Sequence, residues 1–527
     1  MNYLSKNTEK IIEIIDDLNE LNRNFEYTYF TPKTIKPFYD SIYKLYQNLN
    51  FDIISKEITN INTSDFCGIF DLLEYLLENN FIDDFKNLKY DETENTSLHN
   101  IIKNKEKEKC KIWINLNGKN LLRKLFFLKD KKEIPSNLFD KLSIIDNDLL
   151  TEFTPFDIIE YLGESNLIKY VFNLKYFDTT ISLKIVTKNS LKKPMLYRLI
   201  NNILLMIALK NQKEKHNGTI SIVLVLTNYR KKLPTDYKVL GPREINSGVC
   251  MFRQNKILIF RREEFEKLII HELCHLLYLD LSVIDIPNIT NIVNINPNTE
   301  FRINESLTET ISLIIHSIVV SINLSTKKNY RLASTLINYE INFNLIQVAK
   351  ILNHYGFKNA NDFFTKYHID NDNDNGNDND NDNDNGNDND IKNDNDNDIK
   401  NDNDNEVRIE NDVEKTNQNQ NEVQQKSSIN LLESKDKFKQ TTSVLSYYII
   451  KTAVFYNKYL LHQFFKENFV KYNYINKDES INKYIDLVIK SLQNKYYQNS
   501  VDFLMKNMQT KNKYFLETLR MSCIEMD

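Results

Sequence analysis

The stretch that decides the fold runs from Val249 to Asp280, VCMFRQNKILIFRREEFEKLIIHELCHLLYLD. Val249–Phe252 and Lys256–Phe260 are short apolar runs on either side of Arg253, Gln254 and Asn255, a pattern that predicts a hairpin. A helix is expected from near Glu263 through Asp280, because no Gly or Pro interrupts it and apolar residues recur three and four apart. Inside it stands His271-Glu272-Leu273-Cys274-His275, an H-E-x-x-H sequence. Residues four apart lie on one helix face, about 6 Å along the axis, so two imidazoles can converge on one ion. Neutral imidazole is a good zinc donor. Glu272, one residue on, can reach a zinc-bound water without ligating the metal. With 8 His in 527 residues, chance produces the motif on the order of 0.01 times per chain. Cys274 falls off the histidine face and is expected to pack in the core.

Upstream, Ile181–Val186 alternates apolar and polar residues and Thr219–Thr227 is a β-branched run, so strands precede the helix in a small α+β unit. Downstream, Phe301–Ile315 is a second helical run.

The segment HELCHLLYLDLS departs from the metzincin pattern H-E-x-x-H-x-x-G-x-x-H at both deciding places. Tyr278 stands where the turn Gly would be and is expected to let the helix continue, and Leu281 stands where the third His would be and cannot ligate zinc. Asn304-Glu305-Ser306-Leu307-Thr308-Glu309 instead resembles the N-E-x-x-x-[DE] segment of thermolysin-like peptidases, the gluzincins. The resemblance covers roughly Gly248 to Ser312. It implies that Glu305 is the third zinc ligand and that Glu309 orients a ligand histidine. The two carboxylates share one helix stripe, so Glu309 could accept the free N–H of His271 or His275. Glu309 itself is the alternative third ligand. His316, eleven residues beyond Glu305, lies about 16 Å along the axis and is too far to share the ion. It is expected to be a buried structural histidine.

A wider resemblance is to uncharacterised predicted metallopeptidases of large DNA viruses, which carry a similar strand, motif helix, acidic helix and later S-x-x-S-Y-Y segment, here Ser443–Tyr448. The zincin resemblance implies an edge strand beside the metal, along which substrate lies as an added strand. Asn246–Phe252 is the candidate, with Gly248 permitting close approach and Val249 following it. Gluzincins also use a Tyr or His downstream of the third ligand to donate to the oxyanion; Tyr447 and Tyr448 fit by position, and Tyr339 is a further candidate.

The fold class expected is mainly α with a small β-sheet, an α+β arrangement with a zincin-like catalytic core and a helical N-terminal region. Residues 1–165 read as a helical domain, from Ile11, Ile12, Ile14, Ile15, Leu18 and Leu21 and again from Phe70 to Leu77, after a cap at Ser64 or Asp65. Residues 166–369 form the catalytic domain, 370–428 an Asn/Asp-rich insert, and 429–527 a helical return to the catalytic body. The insert has nothing apolar to bury and is expected to be disordered. Its DNDNDNG spacing lacks the Glu, the apolar position and the flanking helices of an EF-hand. Asp370–Glu406 holds fifteen acidic side chains against Lys392 and Lys400, a local −13, so the rest of the chain carries −5 + 13 = +8. That mild excess does not argue for a nucleic-acid partner. Five scattered cysteines form no framework, and no stretch reads as a signal peptide or membrane span. The expectation is a zinc-dependent peptidase acting on peptide or protein in a reducing, intracellular compartment. The alternative is a scaffold carrying a relict motif.

Overall fold

The computed structural model describes residues 4–21, 30–61, 69–80, 89–91, 94–104, 106, 158, 161, 167–234, 239–281, 289–296, 299, 301–325, 327–364, and 437–526 except 473, 476 and 509–511. The expected insert at 370–428 and the Ser64/Asp65 cap lie outside the described residues.

A mixed sheet of six strands forms the floor of the molecule. In chain order these are β1 (Asp52–Ile61), β2 (Leu167–Tyr176), β3 (Thr179–Thr187), β4 (Gly218–Val225), β5 (Gly248–Met251) and β6 (Lys256–Ile259). Across the sheet they run β1-β2-β3-β4-β6-β5. β1, β2 and β3 pair antiparallel, whereas β3, β4 and β6 are parallel neighbours. Parallel neighbours need a crossover. The helix Lys193–Asn211 supplies it between β3 and β4, burying Leu199, Ile203 and Ile207. The predicted hairpin is present: β5 returns antiparallel to β6 in the register Gly248↔Ile259 to Met251↔Lys256. Asn255, in left-handed conformation at φ 47°, closes its turn.

The motif helix, Phe265–Leu276, packs between the crossover helix and the acidic helix, Ile303–Leu324. Every one of its twelve residues is buried. Ile269, Ile270 and Leu273 join Ile181, Leu183 and Ile257 of the sheet in one core. Burying each such side chain contributes about 1.5–3 kcal/mol, and that fixes the helix on the sheet. The acidic helix is the one described helix long and apolar enough to cross a membrane, and its residues from Ile303 to Ile322 are buried within the fold. Tyr330–His354 covers its far side.

Three expectations need correction. The N-terminal region is not wholly helical. Asp52–Ile61 is the outer strand β1, paired with β2 along its length, and the β-branched content of DIISKEITNI suits a pleated surface. Nor do the described N-terminal elements form a separate body. Helices Lys6–Leu21 and Pro32–Gln47 bury Ile11, Ile15, Ile35 and Tyr39 in the main core, and Thr8 Oγ1 donates to Cys523 O at 2.9 Å. The motif helix also ends sooner than its sequence suggests. Tyr278 takes φ 54°, Leu279 N–H returns to Cys274 O and Tyr278 N–H to His275 O, which together make a Schellman turn. A non-Gly residue in that region costs about 1–2 kcal/mol. The turn brings Asp280 back under the helix.

Candidate metal centre

His271 and His275 face the acidic helix from adjacent turns of the motif helix, and Glu305 faces them from the first turn of its own. His275 Nε2 lies 3.1 Å from His271 Nε2 and 3.1 Å from Glu305 Oε2, and His271 Nε2 lies 3.4 Å from Glu305 Oε2. All three residues are buried. Zinc bound tetrahedrally at 2.0–2.1 Å sets its donors about 3.3 Å apart. The observed triangle is one face of such a tetrahedron.

The far sides of the rings support that fit. His275 Nδ1 lies 2.5 Å from Asp280 Oδ2, and His271 Nδ1 lies 2.9 Å from Glu309 Oε1. His275 Nδ1 is hydrogen-bonded to a carboxylate and His271 Nδ1 faces another at 2.9 Å, so with the proton on Nδ1 each ring would carry its Nε2 lone pair inward. Three electron-rich atoms then converge in a buried space, an arrangement suited to a cation. Burial alone would make the imidazoles harder to protonate, but Glu305 and Asp280 carry His275 well above its ordinary pKa, and Glu309 and Glu305 raise His271. Thr308 Oγ1 donates to Asp280 Oδ2 at 3.0 Å and holds that carboxylate in place. The group can therefore hold a metal ion.

Glu272 stands beside this triangle without belonging to it. Burial raises its carboxyl above the usual range, against the pull of His271 and His275. Gly248, on the edge strand, gives it room: a Cβ there would stand 2.9 Å from Glu272 Oε1 and 3.0 Å from Leu258 O. Gly248→Ala should therefore push the Glu272 carboxylate aside. A displacement near 1 Å at a reacting group can cost about 10²-fold in rate. The expected result, if the chain is the zinc hydrolase proposed below, is a fall in hydrolysis of at least about 10-fold with metal content unchanged. Equal rates in Gly248→Ala and wild type would show that the contact is not needed.

β5 ends the sheet, pairing with β6 on one side only among the described residues. Cys250 shares the face of Gly248, in the fields of Glu272, Asp280 and Glu305, while Val249 packs its side chain on the opposite face of the sheet, near Val225 and Phe260. Val249 thus turns its side chain away from the candidate centre. The two tyrosines separate. Tyr447 is half-buried, its ring lies 6.2 Å from that of His271, and burial together with the nearby Glu305, Glu272 and Glu309 carboxylates pushes its hydroxyl pKa well up. Tyr448 is fully buried and donates to Leu519 O at 2.5 Å, away from the centre. They lie in a π-helical turn, Leu445–Ile450, a geometry frequent at functional sites. Tyr339 donates instead to Asp16 Oδ2 at 3.2 Å. Leu281 is buried and contributes no donor, and His316 is buried apart from the triangle.

Sequence reasoning missed Asp280, Thr308 and two lysines, Lys267 and Lys451, which contact Glu309. Lys267 alone left a signal, standing one turn before His271 on the same stripe of a fully buried helix. No family model, curated protein or solved structure matches this chain.

Proposed function

We propose that this chain is a zinc-dependent peptidase of gluzincin type, with His271, His275 and Glu305 as metal ligands and Glu272 as general base. The observation that carries the reading is the position of Glu272. It is a buried carboxylate with a raised pKa, beside the ligand triangle but not part of it, against the glycine of an open strand edge. A purely structural zinc site closes its fourth position with another protein ligand. Among the described residues, His271, His275 and Glu305 form the one group of three or more His, Cys, Asp or Glu whose ligand atoms converge.

Zinc, when bound, would supply Lewis acidity, lowering the pKa of a water and polarising a carbonyl. Glu272 would take the proton of the attacking water and pass it to the leaving amine. The Tyr447 hydroxyl, within reach of Glu305, would donate to the oxyanion. A peptide laid along the free edge of β5 would pair with the backbone of Gly248–Met251, which recognises an extended main chain before any side chain. The neighbours Asp280 and Glu309 would keep both imidazoles in the tautomer that presents Nε2.

Metal removal tests this reading. Treatment with a strong chelator should abolish hydrolysis of an unstructured protein substrate, and one equivalent of zinc should restore it. Hydrolysis that survives complete chelation would end the proposal. No hydrolysis by the zinc-loaded chain on a broad peptide library would leave the scaffold alternative standing.

A further inference from the structure

Glu309 touches more than His271. Lys267, one turn before His271 on the motif helix, directs its Nζ at both Glu309 oxygens. Lys451, from the helix Lys451–Tyr456, places its Nζ 3.7 Å from Glu309 Oε2. Both lysine side chains are buried, at 2% and 0% exposure. Lys451 is fixed in turn: its Nζ donates to Met521 O at 3.3 Å, in a segment whose Met521 and Ser522 N–H groups are bound by Glu264. The proposed reaction uses neither lysine.

Stability does not account for them. A buried ion pair contributes little net stability compared with apolar side chains of the same shape, because both charges must be desolvated. What two cations on one carboxylate do provide is geometry. A carboxylate held by one histidine alone is free to turn about its last bond. With Lys267 on both oxygens and Lys451 beside the second, the plane of Glu309 is set, and Oε1 stays 2.9 Å from His271 Nδ1. His275 has a different arrangement, its Asp280 being held by the neutral hydroxyl of Thr308.

We propose that Lys267 and Lys451 are positioning residues of the metal centre: they fix the Glu309 carboxylate against His271 Nδ1 and, through it, aim His271 Nε2 at the cation. The inference rests on the metal-centre reading above. It extends the set of residues that determine metal affinity to two side chains that touch no ligand.

The test is Zn²⁺ affinity, by competition with a chromogenic chelator, on wild type, Lys267→Met, Lys267→Arg, Lys451→Met, Glu309→Gln and the double variant Lys267→Met/Glu309→Gln. The absorption spectrum of the Co²⁺-loaded proteins reports ligand geometry, and melting of the chelator-treated proteins reports the fold. Lys267→Met should weaken zinc by about 10–100-fold, the scale of outer-shell losses, and alter the Co²⁺ spectrum. Lys451→Met should do the same to a smaller extent, and Lys267→Arg should recover most of the affinity. Because the lysine acts only through Glu309, the double variant should bind zinc no more weakly than Glu309→Gln alone. If Lys267→Met does not fold, since it leaves a carboxylate buried without its partner, the double variant and Lys267→Arg carry the comparison. Wild-type affinity in Lys267→Met, or a further tenfold loss in the double variant over Glu309→Gln, overturns the proposal. A wild-type chain that binds no zinc overturns the metal centre itself, and this inference with it.

Discussion

His271→Ala should strip the purified chain of its zinc. Wild type is expected to carry about one zinc per chain, because three protein donors already stand at the spacing of a tetrahedral face. Removing the imidazole takes away a direct ligand. The loss should exceed the 10–100-fold typical of an outer-shell partner, so affinity should fall by more than about 100-fold. Glu305→Ala should match it, and Glu309→Ala should fall short of it, since Glu309 touches His271 Nδ1 and not the inward-facing donors. Metal analysis of the four proteins decides the matter, with melting in chelator as a check that each is folded. Equal zinc in His271→Ala and wild type would refute the ligand set. Zinc retained in Glu305→Ala but lost in Glu309→Ala would transfer the third ligand to Glu309.

The motif helix was legible because its signals are local. The i, i+4 histidines and the unbroken apolar period place both imidazoles on one face whatever surrounds them. The hairpin was legible for the same reason, through alternation on either side of Arg253–Asn255. The pairing of Glu305 with Glu309 came from a resemblance; the fold places Glu305 beside His271 and His275, and Glu309 against His271 Nδ1. What escaped depends on backbone geometry that residue types do not announce. Tyr278 ends the helix although Tyr has no preference for positive φ, because the Schellman turn it permits delivers Asp280 to His275. Tyr447 and Tyr448 are neighbours of one type, and only the π-helical turn decides that one reaches Glu305 and the other the Leu519 carbonyl. β1 escaped because its partner β2 begins more than a hundred residues later, and a strand's partner cannot be read from the strand.

The same geometry sets the sharpest chemical expectation, at Glu272. Glu272→Gln keeps the side chain's size and helix propensity and still fits against Gly248, but the amide cannot take a proton from water. Because Glu272 is not among the three converging donors, zinc should stay bound. The fold should be unchanged, since an amide is less costly to bury than the carboxylate it replaces. Hydrolysis should fall by at least about 10²-fold, the lower end of what positioned general acid–base groups contribute. A wild-type rate set by deprotonated Glu272 should decline as pH falls through the pKa of that carboxyl in the zinc-loaded protein. The Gln variant, with no group to titrate there, should lack that acidic limb. Side-by-side measurement of zinc content and of the pH profile of cleavage separates the outcomes. Wild-type cleavage by the Gln variant would remove Glu272 from the mechanism even with zinc in place. Loss of zinc in that variant would make Glu272 a ligand, and the roles of the carboxylates on these two helices would then exchange.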